Sequence, residues 1–163
     1  MSEARNRVKT LATVPFILEV EDADGSKFRQ SYLLAYDFNS LAIVEKHLGV
    51  SMITDAGSVF ENPTVKNISI LFYGALLAVQ GGPAYQESGD EKDAVIKLND
   101  VRRNLSPIVV RDVLAACSRA YISQLPADTR KKMDEERTRA EAFVAAGGLQ
   151  EAPLVESPIA PKQ

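Results

Sequence analysis

Sixteen residues between Thr64 and Gly81 constrain the fold of this chain more than any other segment. In Val65 to Gln80, Val65, Ile68, Phe72, Leu76 and Val79 form one helical stripe, yet Leu71, Ala75, Leu77 and Ala78 make the other faces apolar too. A helix apolar nearly all round must be covered on every side. The apolar stretch from Ile68 to Val79 is about a dozen residues long and contains Ser69 and Gly74. A bilayer needs roughly 20 residues, so the segment reads as the central helix of a core. Thr64 can cap it, and Gly81-Gly82-Pro83 ends it.

The flanking sequence predicts what surrounds that helix. Val14 to Glu21 alternates loosely, with Phe16, Leu18 and Val20 on one side. Asp22-Ala23-Asp24-Gly25 is a turn sequence, and Lys27 to Leu34 resumes an extended pattern, so the two runs read as a β-hairpin. At Asp37 the period changes from two to about 3.6. Asp37 or Asn39 can cap a helix carrying Leu41, Val44 and Leu48, which Gly49 would end. Residues 50–63 read as a loop with a helical turn near Met52 and Ile53, and residues 84–92 as polar and irregular. A short helix is expected within 94–104. Ser106-Pro107 starts another, with Val110, Leu114, Cys117, Tyr121 and Leu125 on one face, and Pro126 stops or kinks it.

From Thr129 to Ala146 the character reverses. Nine charged residues of both signs, among them Arg130, Lys131 and Glu135, leave only Met133, Phe143 and Val144 as large apolar anchors. Such a helix is solvated, or pairs with a partner. The fold expected is therefore α+β: an N-terminal hairpin packed on a mainly helical body, then a charged helix and a disordered tail. The divisions are residues 1–13, flexible; 14–126, hairpin plus helical core; 127–148, charged helix; and 149–163, a Pro-rich tail without periodicity.

Composition narrows the function. With net charge −3 and pI about 5.3, the total runs against a protein living on phosphate backbones. The basic run Arg130-Lys131-Lys132 is followed at once by Asp134-Glu135-Glu136, a pattern that supports a helix in water. Cys117 is the sole cysteine, so no intramolecular disulfide is implied. No signal-peptide core follows the basic first residues, and the expected address is the cytoplasm.

Chemistry is sparse. His47 is the only histidine, and Glu45, two residues away on a helix, points elsewhere. It reads as a surface or half-buried helical histidine. Cys117 lies on an apolar stripe and reads as a small core residue. Glu87, Asp90, Glu91 and Asp93 lack the alternating ligands, central glycine and terminal glutamate of a calcium loop. Gly81-Gly82-Pro83 has no Lys-Ser/Thr after it and is no phosphate cradle. No enzyme, cofactor, metal or small-molecule substrate is expected, because no nucleophile, base and orienting group occur together.

The stretch from Phe16 to Gln80 carries a resemblance. A hairpin leads into Tyr32-Leu33-Leu34-Ala35-Tyr36-Asp37-Phe38-Asn39-Ser40-Leu41-Ala42, then Glu45, then Leu48-Gly49-Val50-Ser51. After a gap comes Asn67-Ile68-Ser69-Ile70-Leu71-Phe72-Tyr73-Gly74-Ala75-Leu76-Leu77. This resembles the tail assembly chaperones of long-tailed phages and gene transfer agents, over about 65 of the 163 residues. The match is one of apolar spacing plus Asp37, Asn39, Glu45 and Gly49.

The resemblance implies a non-enzymatic helper that coats the tape measure protein and recruits tail tube subunits in the host cytoplasm. In many phages a ribosomal frameshift near the end of the gene adds a second domain, an arrangement a Pro-rich tail would suit. Self-association is compatible with such a role; nucleic acid and membrane are not expected partners. The contacts are expected at an exposed apolar patch of Met52, Ile53, Val59 and Phe60, and on the charged helix at Arg130, Lys131 and Glu135. A structural neck or tail-completion protein is the alternative, and a nucleic-acid-binding regulator the third.

Overall fold

The computed structural model describes residues 11–147. The fold is α+β, an N-terminal antiparallel hairpin with a mostly helical body. Strands β1 (Val14–Glu21) and β2 (Lys27–Leu34) pair from Val14 opposite Leu34 to Glu21 opposite Lys27. The turn follows from Asp22, whose carboxylate accepts the N–H groups of Asp24 and Ser26, both at 3.0 Å. Gly25 supplies the positive φ of 78° that the turn requires. One hairpin face carries Phe16, Leu18 and Leu34 into the core, and Phe72 meets both Phe16 and Tyr32 edge to face at 6.1 and 5.5 Å. Such edge contacts align the ring's positive rim with its neighbour's negative face.

Helix α1 (Phe38–Leu48) begins in a reciprocal cap. Asp37 accepts the Ser40 N–H at 2.7 Å, while the Ser40 hydroxyl oxygen accepts the Asp37 N–H at 3.0 Å. Gly49 ends it at φ 72°. Residues 50–63, expected to be a loop, contain a short helix α2 (Ala56–Glu61). Gly57 and Ser58 interrupt any apolar period there, so the pattern was invisible in sequence.

Helix α3 (Val65–Gln80) is the centre of this unit, with every residue from Ile68 to Ala78 buried. Thr64 caps it through the Asn67 N–H at 3.1 Å. Val65, counted on the apolar stripe, is exposed, because the first turn projects beyond the packing. The chain leaving β2 is bonded to α3: the Ala35 N–H donates to the Ala75 carbonyl, and the buried Tyr36 hydroxyl donates to the Leu71 carbonyl at 2.7 Å. Gly74 lets α1 approach closely, since a Cβ there would overlap Val44 Cγ2.

Residues 84–92 are not irregular. Helix α4 (Pro83–Ser88) opens at Gly82 (φ 92°), with Pro83 in the first turn and Tyr85 buried, and a 3₁₀ turn follows at Glu91–Asp93. Gly81-Gly82-Pro83 thus ends one helix and starts another. Helix α5 (Leu98–Asn104) occupies part of the expected span, and a 3₁₀ turn at Pro107–Val109 leads into α6 (Val110–Ile122). The face that α6 buries is Val113, Ala116, Cys117 and Ala120, rotated from the predicted stripe of Val110, Leu114, Cys117, Tyr121 and Leu125. The alanines bring α6 close to α3, and a count of large side chains overlooks them.

From Pro126 the chain forms a second unit. Its helix α7 (Ala127–Ala145) has no buried residue. Arg137 and Glu141 lie 3.6 Å apart one turn along it, and the Thr138 hydroxyl donates to the Asp134 carbonyl. Of the expected flexible residues 1–13, residues 1–10 lie outside the described residues, as does the expected disordered tail 149–163.

Candidate functional site

The residues that carry the motif gather around α1, and most have work within the fold. Asp37 is the cap and Gly49 the stop. The Glu45 carboxylate accepts the Met52 N–H at 2.8 Å, while the Tyr121 hydroxyl donates to the Met52 carbonyl at 2.6 Å. Asn39 packs against Gly89 at the end of α4, where a Cβ would crowd its amide. Phe38 is the exception. It stands in the first turn of α1 with 85% of its surface exposed, an expensive position for a phenyl ring.

The expected apolar patch does not exist as predicted. Met52 and Val59 belong to the core, at 1% and 6% exposure, and Phe60 is partly buried against Tyr121, with ring centroids 5.7 Å apart. Of the four, only Ile53 is fully outward, at 88%. The reason is α2: one face of a helix, rather than a loose loop, presents Val59 to the body. Arg130, Lys131 and Glu135 are exposed on a shared flank of α7.

His47 finds a carboxylate after all. Its Nε2 lies 2.7 Å from Glu91 Oε1, and Lys46 Nζ lies 3.8 Å from the other oxygen of Glu91. Glu91 is 44 residues away in sequence, which is why spacing could not reveal it. The imidazole also meets the Tyr73 ring edge to face at 6.3 Å. Burial, with the Glu91 charge and its hydrogen bond added, holds the Tyr73 phenol well above its usual range. Burial likewise pushes Tyr85 up to about 12, with Asp37 and Glu91 reinforcing it, and its hydroxyl has no hydrogen-bond partner among the described residues. The pair ties α1 to the turn after α4. Among the described residues no hydroxyl or thiol hydrogen-bonds His47, and no three His, Cys, Asp or Glu side chains gather as a metal would need.

Cys117 is fully buried, and burial pushes its thiol up to about 12 against the lowering effects of Tyr36 and Arg119. A protonated, enclosed thiol is a packing group. No described helix is long and apolar enough to cross a membrane. No protein-family model matches the chain, nor does any curated protein or solved structure.

Proposed function

We propose that this protein is a non-enzymatic tail assembly chaperone, binding tape measure protein and tail tube subunits while a phage-type tail is built. The observation that carries the reading is Phe38. Within the motif, Asp37, Glu45 and Gly49 are accounted for by the fold, whereas the phenylalanine between Asp37 and Asn39 is held outward on a rigid, capped helix. An exposed aromatic on a fixed element is the kind of anchor from which protein interfaces are built. Ile53 adds a second outward apolar side chain. Helix α7, charged along its length with Phe143 and Val144 exposed, suits a contact that forms and later releases.

A chaperone leaves, and a building block stays. Co-expression with tape measure protein should give a complex that Phe38→Ser weakens at least tenfold without lowering the melting temperature. Mass spectrometry of purified particles should find the protein absent. Many copies in every particle would overturn the reading in favour of a structural neck or tail-completion role.

A further inference from the structure

Between the start of α3 and the junction of α5 with α6 runs a groove of about 390 Å³. Its floor is apolar, formed by Val65, Leu105, Pro107 and Val110, and its rim is Lys66 and Arg102. Beside it Ile108, on the 3₁₀ turn, is 90% exposed. No acidic residue lines the groove, and neither cation enters an ion pair among the described residues.

The arginine is held in place. Its Nε donates to the Ser69 hydroxyl at 3.2 Å, and that nearly buried hydroxyl in turn donates to the Lys66 carbonyl at 2.7 Å. The relay orients the guanidinium and makes no use of the two terminal nitrogens, a pair that can grip a carboxylate through parallel bonds. A cation pre-oriented in this way loses little freedom on binding.

We propose that this groove docks an acidic amphipathic helix of a partner protein. Its leucine-type side chains would lie on the Val65–Leu105–Pro107–Val110 floor, and its carboxylates would meet Arg102 and Lys66. The apolar floor favours a peptide over nucleic acid, because two cations neutralise too little backbone charge to hold a duplex at physiological salt. The inference does not depend on the partner being a tape measure, so the two readings fail separately.

The test is fluorescence anisotropy at about 0.15 M salt, near the physiological range, with the full chain and a labelled helical peptide. The peptide carries leucines at i, i+4 and i+7 flanked by glutamates, and a second has lysine at every glutamate. The acidic peptide should bind at least tenfold more tightly than the basic one. Lys66→Glu and Arg102→Glu should each weaken it at least fivefold, and the double variant should reverse the preference. Lys66→Glu guards against misfolding, since among the described residues its side chain enters no ion pair and a glutamate in a first helical turn is favourable. Equal binding of both peptides, an unchanged affinity in Lys66→Glu, or a 20-base-pair duplex bound as tightly as the acidic peptide would each overturn the proposal.

Discussion

Helices α3 and α7 are of similar length, 16 and 19 residues, and are stabilised in opposite ways. In α3 eleven consecutive residues are buried, and its stability is that of the core around it. In α7 nothing is buried, and the bonds within it are local: the Arg137–Glu141 pair, the Thr138 bond and the backbone ladder. An isolated helix of this length is marginal in water. Sensitivity to mutation should therefore be concentrated on α3 and its neighbours and be nearly absent from α7.

The largest effect belongs to α3. Leu71 is completely enclosed, and Leu71→Asp should cost about 4 kcal/mol or more, since it buries a charge with no partner. Urea unfolding of the variant reads this directly, and a midpoint near the parent's would mean the core is not centred on α3. Next comes the crossing of α1 and α3. Gly74→Ala should cost about 2 kcal/mol despite the better helix propensity of alanine, because Val44 is β-branched and enclosed. Combining it with Val44→Ala should cost less than the two changes summed, since each makes room for the other. Simple additivity in a double-mutant cycle would refute the close approach.

A third effect is electrostatic. Burial lifts the Cys117 thiol from 9.0 to about 12. Above pH 9 the unfolded chain releases a proton that the folded chain keeps, so folding stability should fall as the pH climbs toward 12. The slope should be at most about 1.4 kcal/mol per pH unit for this one group. Cys117→Ala should flatten the decline between pH 9 and 10, and an unchanged slope in melting temperature against pH would show that the thiol is not enclosed. The smallest effect lies on α7. Phe143→Ser should alter stability by no more than about 0.5 kcal/mol, because that ring is 57% exposed. A cost above about 1.5 kcal/mol, half a buried phenylalanine's worth, would erase the contrast between the helices.

The features legible in sequence were those governed by local rules. The cap at Asp37, the stops at Gly49 and Gly81, the turn at Gly25 and the buried length of α3 each follow from residues within a turn or two of one another. What sequence hid was set by distance. The His47–Glu91 pair and the Tyr121–Met52 bond join residues 44 and 69 positions apart, and no period announces them. Helices α2 and α4, six residues each, are too short to show a stripe. The apolar patch failed for the same two reasons: Val59 turns inward on the short α2, and Met52 is drawn in by the distant Tyr121 as well as Glu45. Ser69 and Arg102 looked like ordinary helix residues until α5 was laid beside α3.

The fastening of Met52 has a consequence for how the molecule breathes. Segments between helices ordinarily open first, and their amides trade hydrogen with solvent long before the core does. Here the residue after Ser51 has its N–H held by Glu45 and its carbonyl by Tyr121, with its side chain enclosed. Its amide proton can exchange only once Glu45 on α1 lets go and solvent reaches it, an opening that the Tyr121 bond to the carbonyl and the enclosed side chain oppose. In a deuterium-exchange experiment Met52 should therefore keep pace with the slowest amides of α3, while Ile53, its neighbour and almost fully exposed, has only the Ser51 hydroxyl to delay it. Two adjacent amides would then report separately on the opening of the whole core and the fraying of one turn.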